Sequence, residues 1–507
     1  MFWILTGLLA CNTNPTPIDS DSGEIVGFDT AAWGPPTVGV DVLVIGSGPA
    51  GLTAAWEAHK LGASVLVLER DEKAGGGAFF ASNLMAVDTI YQQEIGIVDS
   101  PKIAAEEWPE FTGGGDASDP WVQRLLHESK EVLYWLTEEL GGEVLSVEPD
   151  LGAGITTRMH SISMDDKHPF HKVVTEMADS TWLHHEAGGL MVANGVVLGA
   201  AYEDLQTGET GWIQAKETIV ATGGYARNDE ALFEDRPEAK ELLVLYETHH
   251  FSIGGGLDLL KDAAAKTQNS GAYGLYVHAM QDWREGMERE ALWMPHIRQS
   301  LIVDLDGNRV ANEIESQGFK LQHKLLSSPQ KRLVAIFPEK VWVPQPLIVP
   351  GYNLSGPEEK NILSTREALD NGAAFEHFSV TELAEHWSMN ADTLQATLDV
   401  YEEAAASGVD SAFGKIAYDL VSFQNGALFS VELKLGAAKA FGGAELDEIG
   451  RVLDENGEVI SGLWAAGEAA GMLGTPAVGW GFSGSVTACY LTGRVAGQNA
   501  ASKALAD

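Results

Sequence analysis

Cysteine is nearly absent: the 507-residue chain has Cys11 and Cys489, with no C-x-x-C spacing and no cluster. That excludes iron–sulfur ligation and c-type haem attachment within this chain. Basic residues are also scarce. Against 73 Asp and Glu stand 32 Lys and Arg, a net charge of −41. No basic stripe offsets this, so a nucleic-acid partner is excluded, because phosphate would be repelled. The acids are dispersed, which reads as a solvated surface rather than a binding tail. Histidine clusters are few. HPFH at 168–171 and the pair His184-His185 lack further ligands at helical spacing, so no metal is expected. The apolar stretch 1–10 is too short to span a bilayer.

What the chain does contain is DVLVIGSGPAG at 41–51. Residues 42–45 form a β-branched and leucine run, as in a strand buried on both faces of a parallel sheet. Gly46, Gly48 and Gly51 follow at once, with Ser47, Pro49 and Ala50 between them, and residues 52–60 read as an alanine-rich helix. Strand, glycine turn and helix start make a dinucleotide cradle. The first glycine permits the turn, the second lets backbone approach a pyrophosphate, and the third lets helix and strand pack. With 56 glycines in the chain, chance alone supplies about 0.7 such patterns, so context decides. Residues 63–68 read as a second buried strand ending in Glu69, 18 residues past Gly51. There the motif needs a carboxylate for ribose hydroxyls. The cradle is therefore read as real.

Three further stretches extend it. AGGGAFF at 74–80 brings Gly76, Gly77 and Ala78 just beyond the ribose carboxylate, where bare backbone could approach a flat ring. Residues 217–224, ETIVATGG, read as a strand ending at Ala221, Thr222 and Gly223. Residues 462–467, GLWAAG, read as another strand, running into Glu468. Residues 119–141 read as an amphipathic helix with an acidic start and a glycine stop.

Together these segments resemble the FAD-dependent oxidoreductases of the fumarate reductase/succinate dehydrogenase flavoprotein and 3-ketosteroid dehydrogenase superfamily. The resemblance runs from about residue 40 to 500 and includes DGNRVANE at 306–313. It implies an α/β fold: a discontinuous Rossmann-like FAD-binding domain (39–275 and 432–507) with an inserted α+β cap domain (276–431) that closes over the flavin. It also implies that Gly46–Gly51, Glu69, Ala221–Gly223, Gly467 and Glu468 contact FAD. The stretch 479–498 looks like the family's last loop and helix, where Ser483, Gly484, Ser485 and Val486 would reach the flavin's carbonyl end. Cys489 in that helix reads as packing. No histidine lies within 74–87, so FAD is expected to be non-covalent.

Fumarate-type members hold a dicarboxylate with arginines and histidines, whose forks and rings suit anionic groups. Mapped onto this chain, the proton-donating arginine falls at Gln317, and its relay residues near Trp293 and His296. A substrate arginine falls near Gly481, and paired histidines near Ala438 and Lys439. The cap has therefore lost its positive clamp in this reading. Trp293, Trp480 and Phe482 point to a neutral, flat or apolar small-molecule substrate, or simply to core packing. His278, in LYVHAM, matches the histidine at the start of the family's cap, and His278 and His296 are the candidate proton-transfer groups because imidazole titrates near neutrality.

The expected activity is hydride transfer at flavin N5 to or from a C–C bond, with a separate electron donor or acceptor. A dicarboxylate reductase, an oxygen-using oxidase and a surface-anchored electron carrier are the competing readings. At the N-terminus, Leu8-Leu9-Ala10-Cys11 resembles a bacterial lipobox, although Leu9 is bulky for it and the first basic residue is Lys60. With a polar tether at 12–38, it implies a signal over 1–11, a lipidated Cys11 and a cell-envelope location. The alternative is an apolar remnant on a cytoplasmic protein.

Overall fold

The computed structural model describes residues 34–77, 83–112, 114–148, 156–163, 168–294, 296–313, 319–348, 362–471 and 485–506. In chain order, the first sheet is entered through β1 (Val38–Ile45), helix α1 (Pro49–Lys60) and β2 (Val65–Leu68). It continues with β3 (Thr181–Trp182), β4 (His185–Ala193), β5 (Val196–Asp204) and β6 (Thr210–Val220). The chain then builds a second sheet around β7 (Tyr273–Gln281) and β8 (Leu428–Ala440). It returns through β9 (Arg451–Leu453) and β10 (Val459–Ala465) and closes with α2 (Ser485–Ala506).

Strands β10, β6, β1, β2 and β3 run parallel in that order. Their apolar runs explain this, since a central parallel strand is covered on both faces; Val42, Leu43 and Val44 are fully buried. Register then sets the site. Ile45 is level with Leu68 on one side and Val220 on the other, and Val220 is level with Ala465. Four strands therefore end at one height, and the four segments singled out in the sequence leave the sheet side by side. Ligands of open parallel sheets collect at this carboxyl edge.

Helix α1 starts at Pro49, three residues before the alanine run, because proline's fixed φ suits the first helical turn. Helix α2 lies against it with no room to spare. A Cβ at Gly493 or Gly497 would collide with the carbonyl oxygens of Ala50 and Ala54. The expected helix at 119–141 is α-helical over Pro120–Tyr134 and then widens to a π turn over Trp135–Glu139.

Among the described residues the second sheet has nine strands, with β8 pairing to β7, to Leu333–Pro338, to Phe375–His377 and, in parallel, to Val244–Tyr246. The expected cuts at 275/276 and 431/432 fall inside β7 and β8. In the DGNRVANE stretch, Arg309 spans Glu313 (2.8 Å) and Asp410 (2.8 Å), and Lys415 lies 3.1 Å from Glu313. All four side chains are nearly inaccessible, so this part of the motif knots the second domain together rather than facing a ligand. Among the described residues no helix is long and apolar enough to cross a membrane.

Candidate active site

A cavity of about 590 Å³ runs from the carboxyl edge of the first sheet to the underside of the second. Gly46, with φ +99°, turns the chain off β1 where a Cβ would press on the Ala221 carbonyl at 2.5 Å. At Gly51 a Cβ would overlap the Gly46 carbonyl, so only glycine lets the first turn of α1 pack against the loop. Gly48 is different: a Cβ there meets no atom within 4 Å and would project into open space. The loop is bare where a phosphate group must approach.

Glu69 reaches back to this loop. Its Oε2 accepts from the Ser47 backbone N–H (2.9 Å) and hydroxyl (2.5 Å), and Oε1 accepts from the Asp71 N–H (2.8 Å). Gly76 and Gly77 border the cavity beside it, and Gly76 abuts Gly48. From the neighbouring strands come Ala221, Thr222, Gly223, Gly467 and Glu468, and from the start of α2 come Ser485 and Val486. Thr222 Oγ1 is buried without a hydrogen-bond partner among the described residues and lies against Gly256, where a Cβ would overlap it. Burial pushes the Glu468 carboxyl up to about 7, against the pull of the Lys439 ammonium and the Gly224 N–H. The Cys489 thiol, also lining the cavity, is pushed up to about 12, chiefly by burial and then by Glu468. It stays a thiol at neutral pH, in keeping with packing rather than nucleophilic chemistry.

The far end is built by the second sheet. His278 on β7 is buried, and its Nε2 shares a hydrogen bond of 2.9 Å with Glu247 Oε2. Glu247 follows the strand Val244–Tyr246 and fits because Gly436 of β8 lies beneath it; a Cβ there would overlap the carboxylate. Its Oε1 has no partner among the described residues, nor does Trp293 Nε1. Trp293 and Tyr276 flank the His278 ring at 6.0 and 5.3 Å between centroids. Arg298 borders the same end, with Nε and Nη2 donating to Asp419 Oδ2 at 3.0 and 2.7 Å.

The FAD binding domain family matches residues 41–481. The chain belongs to this family. It is an FAD-dependent oxidoreductase of the fumarate reductase and ketosteroid dehydrogenase superfamily. NADH:fumarate oxidoreductase of Klebsiella pneumoniae is 26% identical over 475 residues, covering 92% of this chain but 48% of that protein, so the chain spans about half its length. Vinyl phenol reductase of Lactiplantibacillus plantarum is 27% identical over 495 residues, covering 91% and 96%. The 3-ketosteroid-Δ4-(5α)-dehydrogenase of Rhodococcus jostii, solved with 4-androstene-3,17-dione, superposes with a TM-score of 0.70 at 20% identity, covering 94% and 99%.

These residues fit FAD. The turn bare at Gly48 and the Glu69 carboxylate supply what a pyrophosphate and a ribose require. Of the residues chosen from the sequence, Gly46–Ala50, Glu69, Gly76, Gly77, Ala221–Gly223, Gly467, Glu468, Ser485 and Val486 border one cavity, and Gly51 packs directly behind it. Ala78, Ser483 and Gly484, with Gln317, Trp480, Gly481 and Phe482, lie outside the described residues.

At the substrate end the two histidines part. His278 borders the cavity; His296, half-buried before the short helix Ile297–Gln299, does not. That tight turn brings round Arg298 instead, two positions later. The expected loss of the cap's positive clamp turns on Gln317 and Gly481, which lie outside the described residues; among the described ones Arg298, paired with Asp419, borders this end, and Lys439 also borders the cavity. Glu247 was missed because 31 residues separate it from His278. Its one sequence sign is an acid beside His249-His250.

Proposed function

We propose that the protein interconverts a carbon–carbon double and single bond in a neutral conjugated small molecule, with His278 as the proton-transfer group. When bound, FAD supplies hydride transfer at N5. His278 holds the accompanying proton, which goes to the neighbouring carbon in reduction and returns from it in dehydrogenation. Glu247 fixes the ring orientation and balances the imidazolium charge. Trp293 and Tyr276 offer flat apolar surface to a planar substrate. The observation that carries the reading is the buried His278–Glu247 pair beside aromatic rings, with the Arg298 guanidinium that borders the cavity already paired with Asp419. Relatives named for vinyl phenol and for a ketosteroid are compatible with such a substrate.

The test is a reduced-viologen assay of the FAD-loaded protein with fumarate and with neutral alkenes, phenylpropenoid and enone, side by side. Turnover of a neutral alkene with fumarate inert supports the reading. Rapid fumarate reduction with neutral alkenes inert would overturn it, and would assign Arg298 to a substrate carboxylate.

Attachment to the cell envelope through Cys11 is a separate proposal, resting on the lipobox-like stretch alone. Metabolic fatty-acid labelling that disappears in Cys11→Ser supports it, and an unlabelled wild type removes it.

A further inference from the structure

At the rim of the cavity, on the Glu69 side, three side chains converge that the chemistry above does not use. We infer that Asp71, His249 and His250 form a site for a divalent transition-metal ion such as Zn²⁺. The ligand-capable atoms of the three all lie within 4.8 Å of one another. His249 Nε2 and His250 Nε2 approach the same oxygen, Asp71 Oδ2, at 3.4 and 3.5 Å. Hydrogen bonds from ring nitrogens to carboxylates are shorter, about 2.7–3.2 Å. Ligands around a tetrahedral Zn²⁺, with bonds of about 2.0–2.1 Å, sit about 3.3–3.4 Å apart along the edges of the tetrahedron. The two histidine–aspartate spacings match edges of one coordination shell better than two hydrogen bonds.

The local chain geometry supports this. Asp71 is held from three directions: its N–H donates to Glu69 (2.8 Å), its Oδ1 accepts from the Glu72 N–H (2.6 Å), and its carbonyl accepts from the His184 N–H (3.1 Å). Oδ2 is thereby aimed at the histidines. The two imidazoles are stacked at 4.4 Å with 26° between planes; because the nitrogen lone pairs lie in the ring planes, the rings turn apart from this stack when both nitrogens bind one ion. Two imidazoles and one carboxylate favour zinc-like ions over Mg²⁺ or Ca²⁺, which want oxygen shells. All three side chains keep some solvent access, 16–40% of their surface, so an ion can enter. Bound there, it would tie the loop after β2 to the segment leading into the helix Gly255–Asp262, across the rim of the FAD cavity.

The experiment is calorimetric titration of chelator-treated, FAD-loaded protein with Zn²⁺, in excess Mg²⁺ to occupy surface carboxylates. Wild type, Asp71→Asn, His249→Asn and His250→Asn are compared. One tight Zn²⁺ per chain in the wild type is expected, weakened at least about tenfold in each variant. His250→Asn is the safest arm, because that ring is the most exposed of the three; its FAD content and visible spectrum should match the wild type. Identical titrations for wild type and His250→Asn, or no saturable Zn²⁺ binding in the wild type, would overturn the site.

Discussion

His278 Nε2 and Glu247 Oε2 share a hydrogen bond of 2.9 Å, joining β7 to the end of the strand Val244–Tyr246 across 31 residues of chain. One residue brings the ring and the other holds it. His278→Asn should lower turnover of the neutral substrate about 100- to 10,000-fold while FAD content is unchanged. Glu247→Gln acts only through the ring, so it should cost less and should move the pH profile of turnover. Equal pH profiles for wild type and Glu247→Gln would contradict the positioning role.

Arg298 is expected to read as part of a neutral pair. Asp419→Asn removes the compensating charge and should make the cavity accept a monocarboxylate analogue of the substrate about tenfold more tightly, the scale of one partly screened charge contact. Inhibition constants for the acid and for its neutral amide measure this. Unchanged selectivity would mean that the guanidinium does not face the substrate.

The glycines of the first loop should separate into two kinds. Gly51→Ala forces a Cβ into the Gly46 carbonyl and should destabilise the protein by about 3 kcal/mol or more. Gly48→Ala adds its methyl to open space, so thermal stability of the FAD-free protein should be nearly unchanged while FAD affinity falls. Thermal melts of stripped and loaded protein distinguish the two.

Acid should loosen the first sheet through Asp41. Its pKa is lowered from 3.8 to about 2, mainly by the Ser64 hydroxyl (2.6 Å) and N–H (2.8 Å), with Lys216 contributing. A carboxylate depressed in the folded state stabilises above its unfolded pKa and loses that contribution as pH falls through the folded value. The contribution is thus full above about pH 4 and gone below about pH 2. Because the side chain is partly exposed, the effect is modest. Ser64→Ala should raise the acid-unfolding midpoint, and coincident acid transitions would contradict this.

The knot around Glu313 should be purely structural. Glu313→Gln leaves Arg309 and Lys415 buried with too little negative charge, a loss of about 3–5 kcal/mol. Denaturant midpoints should fall while the substrate preference of the surviving folded fraction is retained.

The FAD half was legible because its contacts are local in sequence. Strand, turn and helix start follow within residues 41–51, and Glu69 closes the same unit. The later strands announce themselves by apolar runs that stop at Ala221 and Gly467, and register alone then brings the stops together. The substrate half follows no such rule. Glu247 meets His278 only because Val244–Tyr246 and β7 both pair with β8, a strand more than 140 residues further on. Arg298 rather than His296 borders the cavity because of one short helical turn, whose phase no residue pattern around Ile297 reveals. Asp71 meets His249 and His250 for a similar reason, through two loops that only the folded chain brings together.

The most direct measurement mixes anaerobically reduced, FAD-loaded protein with a neutral conjugated alkene, for wild type and His278→Asn in parallel, and follows the return of the oxidised flavin's visible band. The account predicts a fast return in wild type, slowed about 100-fold or more in the variant. Equal rates in the two proteins, or a return with fumarate and none with the neutral alkene, would contradict it.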